Sequence, residues 1–363
     1  MQYDNNKISV RQLLIIVVVA TFAPLIQVVP RLMGGAAGAA GWVSILLSFG
    51  FYAIFILMLA RMFRKTQAVD LYDLFTKTVG KFLAKIITVI YGVWTFVLIA
   101  FYLRSFAERF MASILPNTPL FFFLAILLAI CALFAYGKFE SFARFAELSL
   151  YLFALIFVFL FAVSAPTIEV TNLLPVTTLD AVPILRGSLI IMGIFSYLTF
   201  GLFLGGGVSA MDGMKKHGIK SGICLTIAAL ITFAITIGIL GVNWASSSNL
   251  PFFTAVRTIR LLNVVERLEA IFLTFWVLAD LVIVSLFIYV FINILKKLFP
   301  LTNPKKLTAP TILGAYLLSV SITSNFFELN QFSAEVQIPV NIILGIAVPA
   351  LVFVIGIVRR KFF

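Results

Sequence analysis

Residues 10–31 read VRQLLIIVVVATFAPLIQVVPR, and this stretch decides which solvent the chain folds in. No charge interrupts it between Arg11 and Arg31, and its polar side chains are Gln12, Thr21 and Gln27. At about 1.5 Å per residue the run is long enough to cross a hydrocarbon core of about 30 Å. Lys7 and Arg11 ahead of an apolar run also suit a secretory signal peptide. Pro30-Arg31 and a second apolar run follow, so a retained first span is the reading adopted.

Outward from this stretch, comparable runs recur at 41–61, 84–106, 118–137, 144–165, 185–207, 219–243, 267–295, 309–326 and 337–358. The pattern predicts an all-α integral membrane protein of about ten transmembrane helices, forming one transmembrane domain over residues 1–363. Composition agrees. The chain is 62% hydrophobic and 11% charged, against about 45–50% and about 25% in soluble domains. Its 39 Phe residues can face acyl chains without penalty.

A net charge of +13 would suggest nucleic acid in a soluble protein. In a membrane protein it follows from basic cytoplasmic loops facing an anionic leaflet, so membrane lipid is an expected partner and nucleic acid is not. Cys131 and Cys224 lie in apolar runs, and the single histidine, His217, lies in a basic loop. This set supports neither a disulfide framework nor a metal centre, and no cofactor is expected. With no nucleophile–base pair and no phosphate-binding loop, an enzyme is not expected either.

Orientation follows from Lys and Arg. With the N-terminus inside, 20 of the 27 fall in inside segments, Arg360 and Lys361 at the C-terminus among them, and 7 fall outside: Arg31, Arg104, Arg109, Arg186, Arg257, Arg260 and Arg267. The bias supports an even number of spans and two cytoplasmic termini. Residues 68–83 are too polar to cross. Tyr72, Phe75, Val79 and Phe82 recur at helical spacing, which predicts a short interfacial helix.

Charge inside a membrane is costly. Asp280, in the middle of its run, is therefore a candidate contact for a ligand, ion or proton; the alternative is an Asp held protonated, or hydrogen-bonded to a neighbouring helix, for packing alone. Interrupted helices are the second signal. Pro24 and Pro30, with Gln27 between them, remove backbone donors from the first span. The sixth span reads Gly193-Ile-Phe-Ser196-Tyr197-Leu-Thr199-Phe-Gly201 and then Gly205-Gly-Gly207. These would be the first helices of two five-helix halves, about 9–165 and 185–358, and matched interruptions point to a midplane binding site. The glycines alone also fit tight helix packing, as in Gly201-x-x-x-Gly205. Glu140, Arg144 and Glu147 suit a local ion-pair ladder on one helix face, with Glu147 deep enough to reach a neighbouring helix instead. Arg257, Arg260, Glu266, Arg267 and Glu269 form a charged rim at the outer mouth.

Several motifs, in order, resemble the B subunit of spore germinant receptors (GerAB type), within the amino acid–polyamine–organocation transporter superfamily. They are Ile8-Ser-Val-Arg-Gln12, Pro30-Arg31 with Gly41-Trp42, Arg104-x-Phe106-x-Glu108, Pro116-Asn-Thr-Pro119, Gly137-x-x-Glu140-x-x-x-Arg144-x-x-Glu147, Asn172-Leu-Leu-Pro-Val176, and Pro251 … Arg257 … Glu266-Arg267-x-Glu269 … Trp276. The resemblance implies a LeuT-like fold of two inverted five-helix repeats with broken first and sixth helices. It implies a small-molecule germinant, often an amino acid, and A and C partner subunits in the inner membrane of a bacterial spore. It places Pro24, Gln27, Trp94, Leu98, Gly193, Ser196, Tyr197, Thr199 and Asp280 near the ligand. The sequence departs from the family in two places. Leu198-Thr199-Phe200 lacks the acid many relatives carry in the sixth span, and Asp280 stands where many have an uncharged residue. A receptor subunit is thus expected, with an H⁺- or Na⁺-coupled amino acid permease as the alternative.

Overall fold

The computed structural model describes residues 7–259, 268–299 and 304–359. In its first part α1 spans Val10–Ala37, α2 Gly41–Thr66, α3 Leu71–Val79, α4 Lys81–Ser113, α5 Leu120–Tyr136 and α6 Phe139–Ser164. There follow α7 at Ala181–Phe195, α8 at Tyr197–Gly201, α9 at Met214–Ser247, α10 at Pro251–Thr258, α11 at Leu268–Leu298 and α12 at Thr308–Ser321. The last stretch holds α13 at Phe326–Phe332, α14 at Ile338–Ile342 and α15 at Val348–Val358, joined by π-helical turns at Ser333–Gln337 and Ile343–Ala347. Every apolar segment read from the sequence is helical over most of its length.

Among the described residues, 7 helical stretches are long and apolar enough to cross a membrane. The first, Val10–Thr66, holds both α1 and α2, which meet at a single 3-10 turn. The outward faces are apolar too: Ile54, Leu133, Leu155, Leu317 and Val354 are all exposed. Such a surface suits acyl chains and not water, so the protein is a membrane protein.

Helix α1 sits at the centre, with α2, α6, α7, α9 and α11 packed around it. It starts on a capping box in which Ser9 Oγ accepts from Gln12 N and Gln12 Oε1 accepts from Ser9 N, satisfying two donors the first turn leaves open. The break expected at Pro24 and Pro30 is absent: α1 is helical from Val10 through Ala37. Each proline removes one hydrogen bond but holds a φ the helix can use. The helix is packed by α2, α6, α7, α9 and α11 and continues past both, leaving the carbonyls of Ala20 and Ile26 without their intrahelical donors. The helix ends at Gly38, whose φ of +56° ordinary residues rarely adopt.

The sixth apolar segment is interrupted as expected. Helix α7 stops at Phe195, Ser196 forms a turn, α8 lasts 5 residues, and Leu202–Gly207 continues as 3-10 helix. Ser196 Oγ donates to the Gly193 carbonyl at 2.7 Å, offering the backbone an alternative to the regular ladder. A Cβ built on Gly345 would lie 2.3 Å from Ser196 Cβ, so only a glycine in the π turn Ile343–Ala347 lets that segment lie this close to the bend.

Two readings of charge change. Helix α4 runs to Ser113, so Arg104 and Arg109 are buried helix residues and not outside-loop charges. Removing them leaves five outside and sharpens the bias. No ion pair joins Glu140, Arg144 and Glu147 among the described residues; Glu147 Oε2 instead accepts from Gln12 Nε2 at 3.2 Å, tying α6 to α1. Of the outer rim, Arg260, Glu266, Arg267 and the side chain of Glu269 lie outside the described residues, as do Arg360 and Lys361.

The segment expected at the interface forms helix α3, which ends at Val79; Phe82, expected on its apolar face, falls instead in α4 and is exposed. Asp70 caps α3, its Oδ1 accepting from Asp73 N at 2.9 Å, while its Oδ2 meets Lys297 Nζ at 2.6 Å. Leu71, Leu74, Phe75 and Thr78 form its buried face against α4. This end of the bundle, where the basic residues of α2, α9, α11 and the 3-10 turn Pro304–Leu307 gather, is the basic end.

Candidate functional site: a buried polar centre

One face of α4 carries Tyr91, Trp94, Leu98, Tyr102, Ser105 and Arg109, at the three- and four-residue spacings that bring helix side chains into line. All are buried. A buried polar group without a partner costs about 1–3 kcal/mol, so this row demands partners. They come from α1, α8, α11 and the α13–α15 stretch.

Toward the basic end, the hub is Tyr197. Its hydroxyl meets Tyr102 Oη directly. It also accepts from Gln337 Nε2 at 2.5 Å and from Asn341 Nδ2 at 3.0 Å. Gln337 Nε2 reaches Tyr102 Oη at 2.8 Å as well, and Ser333 Oγ donates to Gln337 Oε1 at 2.6 Å. Trp94 Nε1 donates to Asn341 Oδ1 at 2.8 Å. Thr199 Oγ1 donates to the Gly345 carbonyl at 2.6 Å, and Tyr91 Oη donates to the Leu344 carbonyl. Ser333, Gln337, Asn341 and Gly345 recur every four residues. A pure α-helix returns after 3.6 and would rotate this row away. The π turns, with their longer i→i+5 closure, hold it on one side.

The second cluster lies along α4 from Tyr102 to Arg109, about 10 Å further from the basic end at 1.5 Å per residue. Arg109 Nη1 meets Asp280 Oδ2 at 2.5 Å, and both side chains are almost wholly buried. The guanidinium carbon stands 3.9 Å over the Trp276 ring, a contact worth about 2 kcal/mol or more when desolvated. Gln27 Oε1 accepts from Arg109 Nη2 at 3.3 Å and from Ser105 Oγ at 2.9 Å. This links α1, α4 and α11. Among the described residues, Asp280 Oδ1, Arg109 Nε and Trp276 Nε1 are buried without a hydrogen-bond partner.

The expected site residues thus divide. Gln27 and Asp280 meet through Arg109. Trp94, Tyr197 and Thr199 meet through the α13–α15 stretch. Ser196 and Gly193 shape the bend instead: a Cβ at Gly193 would lie 2.8 Å from Ile338 Cγ2. Pro24 and Leu98 are buried in the surrounding apolar core. Sequence reasoning missed Arg109, Tyr102, Trp276, Gln337 and Asn341. Gln337 and Asn341 carried a usable signal, as amides in an otherwise apolar run. Arg109 did not, because it stands just past the apolar part of α4.

Two cavities open at the basic end, and α1 lines neither. One, of about 700 Å³, lies between the end of α2, the segment before α3 and residues 205–215. The other, of about 320 Å³, is bordered by Phe139, Leu204, Tyr289, Asn293 and Lys305. Phe200 and Phe203 pack with Tyr91, and Phe200 with Phe287, beside the hub tyrosine.

Fold and site define a polytopic helical membrane protein with a two-part polar centre sealed in an apolar bundle. The sequence pattern of the spore germination protein family matches residues 7–327. The chain belongs to that family, which ties it to spore germination. It is similar to spore germination protein KB of Bacillus subtilis (strain 168), 25% identical with 99% of this chain and 96% of the relative covered. It is also similar to the putative spore germination protein YfkT of that strain, 23% identical with 96% of each covered. The spore germination protein YndE is 24% identical over 76% of each chain.

Proposed function

We propose that this chain is the B-type membrane subunit of a nutrient germinant receptor, and that it binds a zwitterionic small molecule, an amino acid, at the polar centre. The observation that carries the reading is the Arg109–Asp280 pair with three adjoining polar atoms unspent. A buried ion pair is weak support for stability, since a well-packed apolar pair often does as well. One with open valences on both charges has a different use. A guanidinium takes a carboxylate in fork geometry, and a carboxylate takes an ammonium. An amino acid supplies both, and Trp276 Nε1 and Gln27 supply further contacts. Its entry would replace the internal pair by two ligand pairs and shift α4 against α11. The Tyr102–Tyr197–Gln337–Asn341 network would carry that shift to α8 and the α13–α15 stretch. Ligand moves such an equilibrium only through differential affinity for the two arrangements.

The architecture proposed with it is ten spans in two inverted halves, about 9–165 and 185–358, in a single transmembrane domain. The inner membrane of the spore, cytoplasmic termini and A and C partner subunits complete the proposal; the Lys and Arg bias supports the orientation. The test is a thermal-shift screen of the purified protein against amino acids, sugars and nucleosides, followed by uptake into sealed vesicles. Stabilisation by an amino acid without accumulation supports a receptor subunit. Accumulation of that amino acid by the lone protein would establish the coupled permease instead, and stabilisation only by sugars or nucleosides would remove the zwitterion reading.

A further inference from the structure

The larger cavity at the basic end is built differently from the polar centre. Its lining includes Arg61, Arg64 and Lys215, with Leu57 and Ala60 on one side and the Gly205–Met211 segment on the other. All three cations are exposed. None has a side-chain hydrogen bond or ion pair among the described residues. One carboxylate, Asp212, also lines the cavity, so the cations exceed the acids there.

The approach to this cavity is as informative as its lining. One exposed face of α2 carries Leu47, Gly50, Ile54, Leu57, Arg61 and Arg64 in succession, every three or four residues. Ile54 is 67% exposed and Leu57 44% exposed. The face is therefore an apolar track in the hydrocarbon that turns basic within one helical turn at the mouth of a cavity of about 700 Å³. A soluble anion would use the cations and leave the track idle. A phospholipid has the same order of chemistry: acyl chain, then phosphodiester.

We infer that this cavity is a binding site for the phosphate headgroup of an anionic phospholipid, whose acyl chain lies along the Leu47–Ile54–Leu57 face of α2. Phosphate oxygens meet Arg61, Arg64 and Lys215. Basic pockets between spans favour anionic headgroups by local charge, and arginine forks suit phosphate in particular. The glycine at 205 keeps the inner wall close. A Cβ there would lie 2.3 Å from the Val69 carbonyl oxygen.

The test uses the full chain, purified and stripped of lipid, with native mass spectrometry and thermal unfolding as readouts. The probes are phosphatidylglycerol, phosphatidylcholine and free glycerol 3-phosphate. Wild type should retain phosphatidylglycerol in preference to phosphatidylcholine. The variant Arg61→Gln/Arg64→Gln/Lys215→Gln should lose at least about tenfold in phosphatidylglycerol affinity, given three surface cations removed. The control Lys81→Gln/Lys85→Gln, also at the basic end, should bind as wild type. Should the triple variant fail to fold, Lys215→Gln alone and the wild-type lipid preference decide the matter. Equal affinity in the cavity variant, equal losses in the control, no headgroup preference, or equal protection by glycerol 3-phosphate would each overturn the inference.

Discussion

Replacing Asp280 by leucine should expose what the buried ion pair is for. The substitution leaves the Arg109 guanidinium buried, with Gln27 Oε1 at 3.3 Å and the Trp276 ring at 3.9 Å as its remaining partners. Breaking a buried pair from one side costs about 3–5 kcal/mol. The Trp276 contact exists before and after, so it offsets none of this. Asp280→Asn keeps an acceptor for Arg109, and a hydrogen bond to a charged group is worth about 1.5–3 kcal/mol. Its cost should therefore fall to about 2 kcal/mol. Arg109→Met/Asp280→Leu removes both charges and should return to within about 1 kcal/mol of wild type, a coupling of several kcal/mol in the double-mutant cycle. Thermal unfolding of the purified protein in detergent reads these three variants and Arg109→Met, the single that completes the cycle. The same variants in spores read function. If the pair only packs the bundle, the double variant regains both stability and germinant response. If the pair receives the ligand, stability returns and the response does not. Strictly additive losses in the cycle would refute the reasoning, because they would mean that Arg109 does not feel the Asp280 charge.

Other substitutions test the rest of the site. Tyr197→Phe removes the hydroxyl shared by Tyr102, Gln337 and Asn341; a thermal shift equivalent to about 1–3 kcal/mol is expected, and an unchanged midpoint would mean the amides find other partners. Gly345→Ala pushes a methyl against Ser196 and should destabilise by about 1–3 kcal/mol through overpacking, with full stability showing that the bend can relax. Asp70→Ala loses the cap of α3 and should cost about 0.5–2 kcal/mol, of which Asp70→Asn recovers the capping part, as chemical unfolding would report. Gln27→Ala should weaken amino acid protection in the thermal-shift assay through Arg109 orientation, and unchanged protection would place Gln27 outside the site.

The apolar segments were legible as helices because lipid imposes one simple rule, a long apolar run, though among the described residues α5 and α12 are shorter than a full span, and α3 was legible from its helical spacing. Asp280, Gln27 and Tyr197 stood out as polar side chains inside such runs. The pairing of Asp280 was hidden. Arg109 lies where the apolar pattern of α4 fades, and only the helix's continuation to Ser113 carries it inward. The prolines misled in the opposite direction. A proline reports the loss of one local hydrogen bond, whereas the continuity of α1 is set by five packed neighbours. The row Ser333–Gln337–Asn341–Gly345 would wind by about 40° around a regular α-helix at each step, so its alignment emerges only with the π turns.

The most direct test of the central claim is equilibrium binding of a radiolabelled amino acid, chosen by the thermal-shift screen, to wild type and to Arg109→Met/Asp280→Leu. The account predicts saturable binding by wild type, displaced by the unlabelled amino acid but not by its decarboxylated amine, and a loss of at least about a hundredfold in the folded double variant, as for two charged contacts of about 1.5–3 kcal/mol each. Equal affinity in the two proteins would contradict it.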